Sequence, residues 1–168
     1  MYRLRSINPR TGYIKEFDAG AGGPVLIGRI PLEKVFENID ILIENIPDEF
    51  KQKILEDIRN IEFAITMADC KISYEPISRF HCLIFPGDDA KITDLFSTNG
   101  TVIGSIGGGL TVNPGRDMDL KRNDIILLAN GSAIFQYLGS CETDENHQPP
   151  REKVIPKYPQ ENPDNSSF

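Results

Sequence analysis

Histidine is scarce in this chain, with His81 and His147 making up the whole supply. No nucleophile–histidine pair and no metal-ligand cluster can be read from so few, and the expectation is a protein that is not an enzyme and needs no metal or cofactor. Cysteine is nearly as rare. Cys70, Cys82 and Cys141 are odd in number and contain no C-x-x-C spacing, which argues against a disulfide framework and against zinc. Cys82 sits in an apolar run and reads as a buried filler. Long apolar runs are also missing, since none approaches the roughly 20 residues that span a bilayer, and no membrane contact is expected. The opening MYRLRSINPRTG lacks the apolar core of a secretory signal, which makes the cytoplasm the expected compartment. Positive charge is short as well, 18 Lys and Arg against 25 Asp and Glu, for a formal net charge of −7. General affinity for nucleic acid needs a basic surface that releases counterions. Nucleic acid is therefore excluded as a partner, and any phosphate must be held locally.

The 39% hydrophobic and 26% charged residues that are present describe an ordinary soluble chain, long enough for one domain with a full core plus an appendage. Tyr2 and Leu4, a turn at Asn8 to Gly12, then Tyr13, Ile14 and Phe17 read as a β-hairpin. Val25-Leu26-Ile27 is a short buried strand ending at Gly28-Arg29. From Phe80 onward strand signals recur at Phe80 to Phe85, Ala90 to Asp94, Thr101 to Ile103, Asp117 to Leu120, Ile125 to Leu128 and Ala133 to Leu138. Turns rich in Gly, Asn and Asp separate them, including Gly107 to Gly109 and Arg122-Asn123-Asp124. Short strands so closely spaced favour a sandwich or barrel.

Between these two β regions the periodicity changes. Leu32, Val35, Phe36, Ile39, Leu42, Ile43 and Ile46 form one stretch at helical spacing, and Phe50, Ile54, Ile58, Ile61 and Ile65 form another. Pro47-Asp48-Glu49 starts the second, with proline and acids where a helix N-terminus favours them. Residues 30–68 are thus expected to be a helical hairpin inserted into an all-β domain, carrying net charge −5 from nine acidic and four basic residues. Those charges suggest that the hairpin points away from any phosphate site and offers its surface to a second protein partner. Residues 141–168, polar and rich in proline, read as a flexible tail. Within the tail, Thr143 precedes Asp144 and Glu145, an acidic setting suited to phosphorylation.

Three short motifs lie at loops beside strands: Gly28-Arg29, Ser78-Arg79-Phe80-His81, and Ser97-Thr98-Asn99-Gly100-Thr101. Each has a bland reading. Arg29 could be a surface arginine paired with an acid, Ser97 to Thr101 a tight turn, and His81 a satisfied core histidine. Gly104 to Gly109 is a glycine-rich stretch, but no Lys-Ser or Lys-Thr follows it and no helix opens there, so it reads as a loop. A phosphorylated side chain carries about −1.5 to −2 charges and three acceptor oxygens. Its receptor needs a cation and several converging donors. Arg29 offers a planar fork, Ser78 and Thr98 offer hydroxyls, and Asn99 has donor and acceptor on one short side chain. Arg79 adds a guanidinium or turns to solvent, as strand alternation decides.

In this order, the Gly-Arg, Ser-x-x-His and Asn-Gly motifs resemble the forkhead-associated (FHA) family over Tyr2 to about Gly139. Lys121 to Ile125 adds to the likeness, with Asn123 where the family usually has glycine, a residue that also enters left-handed turns. The separation of Arg29 from Ser78 departs from the family pattern, and the helical segment accounts for the excess. The resemblance implies an FHA-type β-sandwich of two mainly antiparallel sheets over residues 1–140. It implies a phosphothreonine-containing protein or peptide as partner, with Arg29, Ser78, Arg79, Thr98 and Asn99 in contact with it. Gly28, His81 and Gly100 are implied as structural support for the site. Some FHA-like domains serve as phosphate-independent scaffolds of larger assemblies, and that is the alternative.

Overall fold

The computed structural model describes residues 1–20, 22–73, 76–105 and 108–140. The expected tail and its Thr143 lie outside the described residues. The chain opens with β1 (Tyr2–Ile7) and β2 (Ile14–Asp18), an antiparallel hairpin. β3 (Val25–Gly28) follows, then two short 3-10 turns at Leu32–Lys34 and Phe36–Asn38, α1 (Ile39–Asn45) and α2 (Asp48–Arg59). The remaining strands are β4 (Phe63–Thr66), β5 (Phe80–Phe85), β6 (Lys91–Asp94), β7 (Thr101–Ser105), β8 (Gly108–Thr111), β9 (Asp117–Asp119), β10 (Ile125–Leu128) and β11 (Ala133–Ser140).

Two sheets form the expected sandwich, one in the order β2-β1-β11-β10-β7-β8 and the other β4-β3-β5-β6-β9. The pairing of β3 with β4 is parallel and the other described pairings are antiparallel. Leu4, Phe135, Tyr137 and Ile126 from the first sheet meet Val25, Ile27, Cys82, Ile84 and Ile92 from the second in the main core. Cys82 is buried as expected, and its apolar surroundings push its thiol pKa well up. Burial likewise raises Cys70 to about 11.

Strand alternation sends Leu26 and Leu83 to the opposite face of the second sheet, and both are fully buried there. Their cover is the inserted segment. Ile30, Val35, Leu42, Ile46, Ile54 and Ile58 pack with Leu26, Phe80, Leu83 and Leu95 into a second apolar cluster. The domain is therefore three layers deep on this side, and β3 is buried on both faces, hence its uninterrupted apolar run. The insertion's apolar stripe is spent on its own sheet, so the expected docking of a second protein finds no support in this packing.

Two expectations need correction. Helix does not run through residues 30–68: it ends at Arg59, with Asn60 at the C-cap, and Phe63–Thr66 is β4, paired with Val25–Gly28. Ile58, Ile61 and Ile65 fit a helical spacing by coincidence, and a four-residue strand is too short to display alternation. The first helical stretch is also broken into 3-10 turns before the seven-residue α1. The second start is where the sequence puts it, with Pro47 at the N-cap and Asp48 and Glu49 in the first turn. The glycine-rich stretch is not all loop, because Gly108–Thr111 forms β8 against β7. All four residues of this edge strand are exposed, which leaves no buried-face signal to read. Among the described residues, no helix is long and apolar enough to cross a membrane.

Candidate functional site

Gly28 and Arg29 end β3 directly beside Ser78 and Arg79, which lead into β5. A Cβ on Gly28 would collide with the Arg79 carbonyl oxygen, so glycine is what lets the two chains approach. The Arg29 amide then donates to that same carbonyl at 3.0 Å. Two motifs separated by the whole insertion are thereby joined through backbone.

The third motif is attached by His81, which is fully buried in β5. Its Nδ1 accepts the Ser78 amide proton at 3.2 Å, and its Nε2 faces the Gly100 carbonyl oxygen at 3.0 Å. Only the neutral tautomer with the proton on Nε2 satisfies both contacts. His81 thus ties the Ser78 loop to the Asn99-Gly100 turn, while Gly100 takes the left-handed φ of +78° that closes the turn. The Thr98 amide donates to Ser78 Oγ at 2.9 Å, and Asn99 Nδ2 donates to the Pro76 carbonyl at 2.9 Å.

Burial lowers the His81 pKa from its ordinary value of 6.5, with the Gly100 hydrogen bond and the Asp94 charge acting the other way. A proton on Nδ1 would face the Ser78 N–H, and the fold resists it. The depressed pKa means that its contribution to stability is fully present above pH 6.5 and is lost as pH falls toward the folded-state value. In that window the unfolded chain binds one more proton, so stability should drop by up to about 1.4 kcal/mol per pH unit. Denaturant midpoints measured from pH 7.5 to 5 should show this slope, and a His81→Gln variant should lack it. Equal slopes in the two proteins would remove His81 as the cause.

Asp94 is the residue that sequence reasoning missed. Fully buried at the end of β6, it accepts the Ser97 amide at 2.9 Å, the Ser97 hydroxyl at 2.6 Å and the Thr101 hydroxyl at 2.6 Å. Ser97 Oγ in turn accepts the Gly100 amide at 3.0 Å. An acid three residues ahead of a serine-led turn was the available signal.

Arg29, Ser78, Arg79 and Thr98 line one cavity of about 220 Å³. Asn99 is exposed and is not part of that lining. Gly28, His81 and Gly100 are likewise not part of the lining, although Gly28 adjoins Arg29 in the chain and His81 is bonded to Ser78 and Gly100. Arg29 Nε is buried without a hydrogen-bond partner, and among the described residues Arg29 forms no ion pair. Among the described residues, the bland reading of Arg29 as a paired surface arginine finds no support. Arg79, whose direction strand alternation left open, is exposed and is among the residues that line the same cavity.

Ile41, Leu42 and Asn45 of α1 line this cavity too. The insertion does not point away from the motif residues but forms a wall beside them. Its acids explain how this is tolerated: Asp40 and Glu44 are absent from the lining, and α1 turns neutral residues toward Arg29.

Residues 59–129 match the family model of the FHA domain, a span that begins at the last residue of α2 and leaves Gly28 and Arg29 upstream. A search of curated proteins gave no match. Among solved structures, full-length yeast Pml1p aligns with a TM-score of 0.50 at 17% identity, covering 82% of this chain and 81% of that one. The FHA domain of CT664 from Chlamydia trachomatis aligns at 0.49 and 20% identity, covering 83% and 98% respectively. The N-terminal FHA domain of Rad53p from S. cerevisiae, solved with a phosphothreonine peptide, aligns at 0.44 and 16%, covering 80% and 90%.

Proposed function

Because the chain carries a forkhead-associated domain, we propose that it is a phosphothreonine-dependent protein-binding module that docks a phosphorylated partner and catalyses nothing. The observation that carries this reading is Arg29, a guanidinium with a buried, unpartnered Nε in a cavity shared with two hydroxyl-bearing side chains. Arg29 supplies charge-assisted bonds to the phosphate. Ser78 Oγ already accepts the Thr98 amide, so its hydroxyl proton is left to donate to a phosphate oxygen. Thr98 and Arg79 complete the donor set, and Asn99 holds the backbone of the extended peptide. His81, Gly28 and Gly100 keep these loops in place without touching phosphate. An arginine that forms no ion pair among the described residues supports this reading over a phosphate-independent scaffold, which would have no use for an open cation.

A phosphothreonine peptide is expected to bind with roughly micromolar affinity, about −8 kcal/mol. Calorimetry on matched phosphothreonine, phosphoserine and unphosphorylated peptides tests it, and equal affinity for phosphorylated and unphosphorylated forms would overturn the proposal. Ser78→Ala and Asn99→Ala should each weaken binding by about tenfold. Both sit on exposed or half-exposed loops, so their melting temperatures should stay near that of the parent chain.

A further inference from the structure

A second cavity, of about 540 Å³, adjoins the first. Arg29, Arg79 and Ile41 line both, and the far side of the second is built entirely by the insertion, through Lys34, Glu37 and Asn38. Three cations thus face one carboxylate there, in a protein whose formal net charge is −7. Among the described residues, none of Arg29, Lys34 and Arg79 is engaged in an ion pair. Among the described residues Glu37 is the one carboxylate lining this cleft beside the three cations, a balance that favours an anion there. Asn38 Nδ2 donates to the Lys34 carbonyl at 2.9 Å, which fixes the wall that presents the lysine.

We propose that the insertion makes this domain a reader of two anions, with Lys34 and Arg79 selecting a phosphate or carboxylate on a residue flanking the phosphothreonine. This rests on the function proposed above and adds to it a specificity-determining residue outside the motif loops. Arg29 and Arg79 stand between the two cavities, so an extended peptide anchored in the first passes its neighbouring residue into the second. Lys34 is exposed and its contact is consequently screened, which makes its effect a modest and salt-dependent preference.

The test measures fluorescence anisotropy with peptides that keep one phosphothreonine fixed and move a glutamate, a phosphoserine or a lysine through an otherwise alanine flank. The result is the ratio of each affinity to that of the all-alanine peptide, internal to each protein variant. At one flank position the parent chain should gain about three- to tenfold from the acidic group. A larger gain with phosphoserine identifies a second phosphate as the natural anion, and equal gains identify a carboxylate. Lys34→Glu should abolish the gain and favour lysine at that position, and Asn38→Asp, which adds a carboxylate to the same wall, should reduce it. A flank with no acidic preference, or a preference that survives Lys34→Glu, overturns the inference while leaving the phosphothreonine site standing. Failure of every phosphothreonine peptide to bind would overturn the proposed function, and this inference with it.

Discussion

Replacing Arg29 with alanine is expected to cost about 2 to 5 kcal/mol of phosphopeptide binding, because the phosphate then enters a partly enclosed site without its charge-assisted partner. Arg79, the other guanidinium lining the cavity, should make up little of the loss because its exposure leaves it screened. Lys34 lies in the neighbouring cavity, and the surrounding protein is acidic. Arg29→Lys should recover only part of the loss, since an ammonium supplies charge without the planar fork. Folding should hardly notice either change. The Arg29 side chain makes no ion pair among the described residues, its Nε is unpartnered, and the link to Arg79 runs through the Arg29 backbone amide. Calorimetric titration beside a thermal melt separates the two effects. An Arg29→Ala protein that melts normally and still binds the phosphopeptide would displace Arg29 from the site.

The motifs were legible in the sequence because turn chemistry is local. Gly28 is required by one close approach, Gly100 by one left-handed φ, and His81 by two backbone partners, the Ser78 amide and the Gly100 carbonyl. Asn123 behaves in the same way, taking φ of 70° where the family usually has glycine. Asp94 left only a faint signal, an acid three residues ahead of a serine-led turn, since its value lies in three contacts that the folded turn brings to it. β4 and β8 were missed for opposite reasons. β4 borrowed the spacing of the helix before it, and β8 is an exposed edge whose Gly109 leaves room for Val102. The direction of the insertion does not follow from its summed charge. A net charge of −5 spread over a helical segment says nothing about one face, and Lys34, Asn38, Ile41 and Asn45 make the cleft-facing side neutral to basic despite Glu37.

The same packing sets the expected result of removing the insertion. Joining β3 to β4 through a short Gly-Ser loop would strip the cover from Leu26, Phe80, Leu83 and Leu95, all at most 4% exposed in the intact chain. Burying a large apolar side chain contributes about 1.5 to 3 kcal/mol, so uncovering four of them costs an amount comparable with the whole stability of a domain, about 5 to 15 kcal/mol. The shortened chain should therefore fail to show a cooperative melt, or melt far below the parent. Loss of phosphopeptide binding in it would report unfolding and not a missing contact. A milder pair separates the two. Ile54→Ala and Ile58→Ala remove fully buried side chains of α2, which is not among the elements lining the cavities beside Arg29. Each should cost about 2 to 5 kcal/mol of stability, read from denaturant midpoints. Phosphopeptide affinity measured where these variants remain folded should stay near the parent value. A shortened chain that melts like the parent would show that the insertion is an ornament on the sandwich, and the three-layer account of this fold would be wrong.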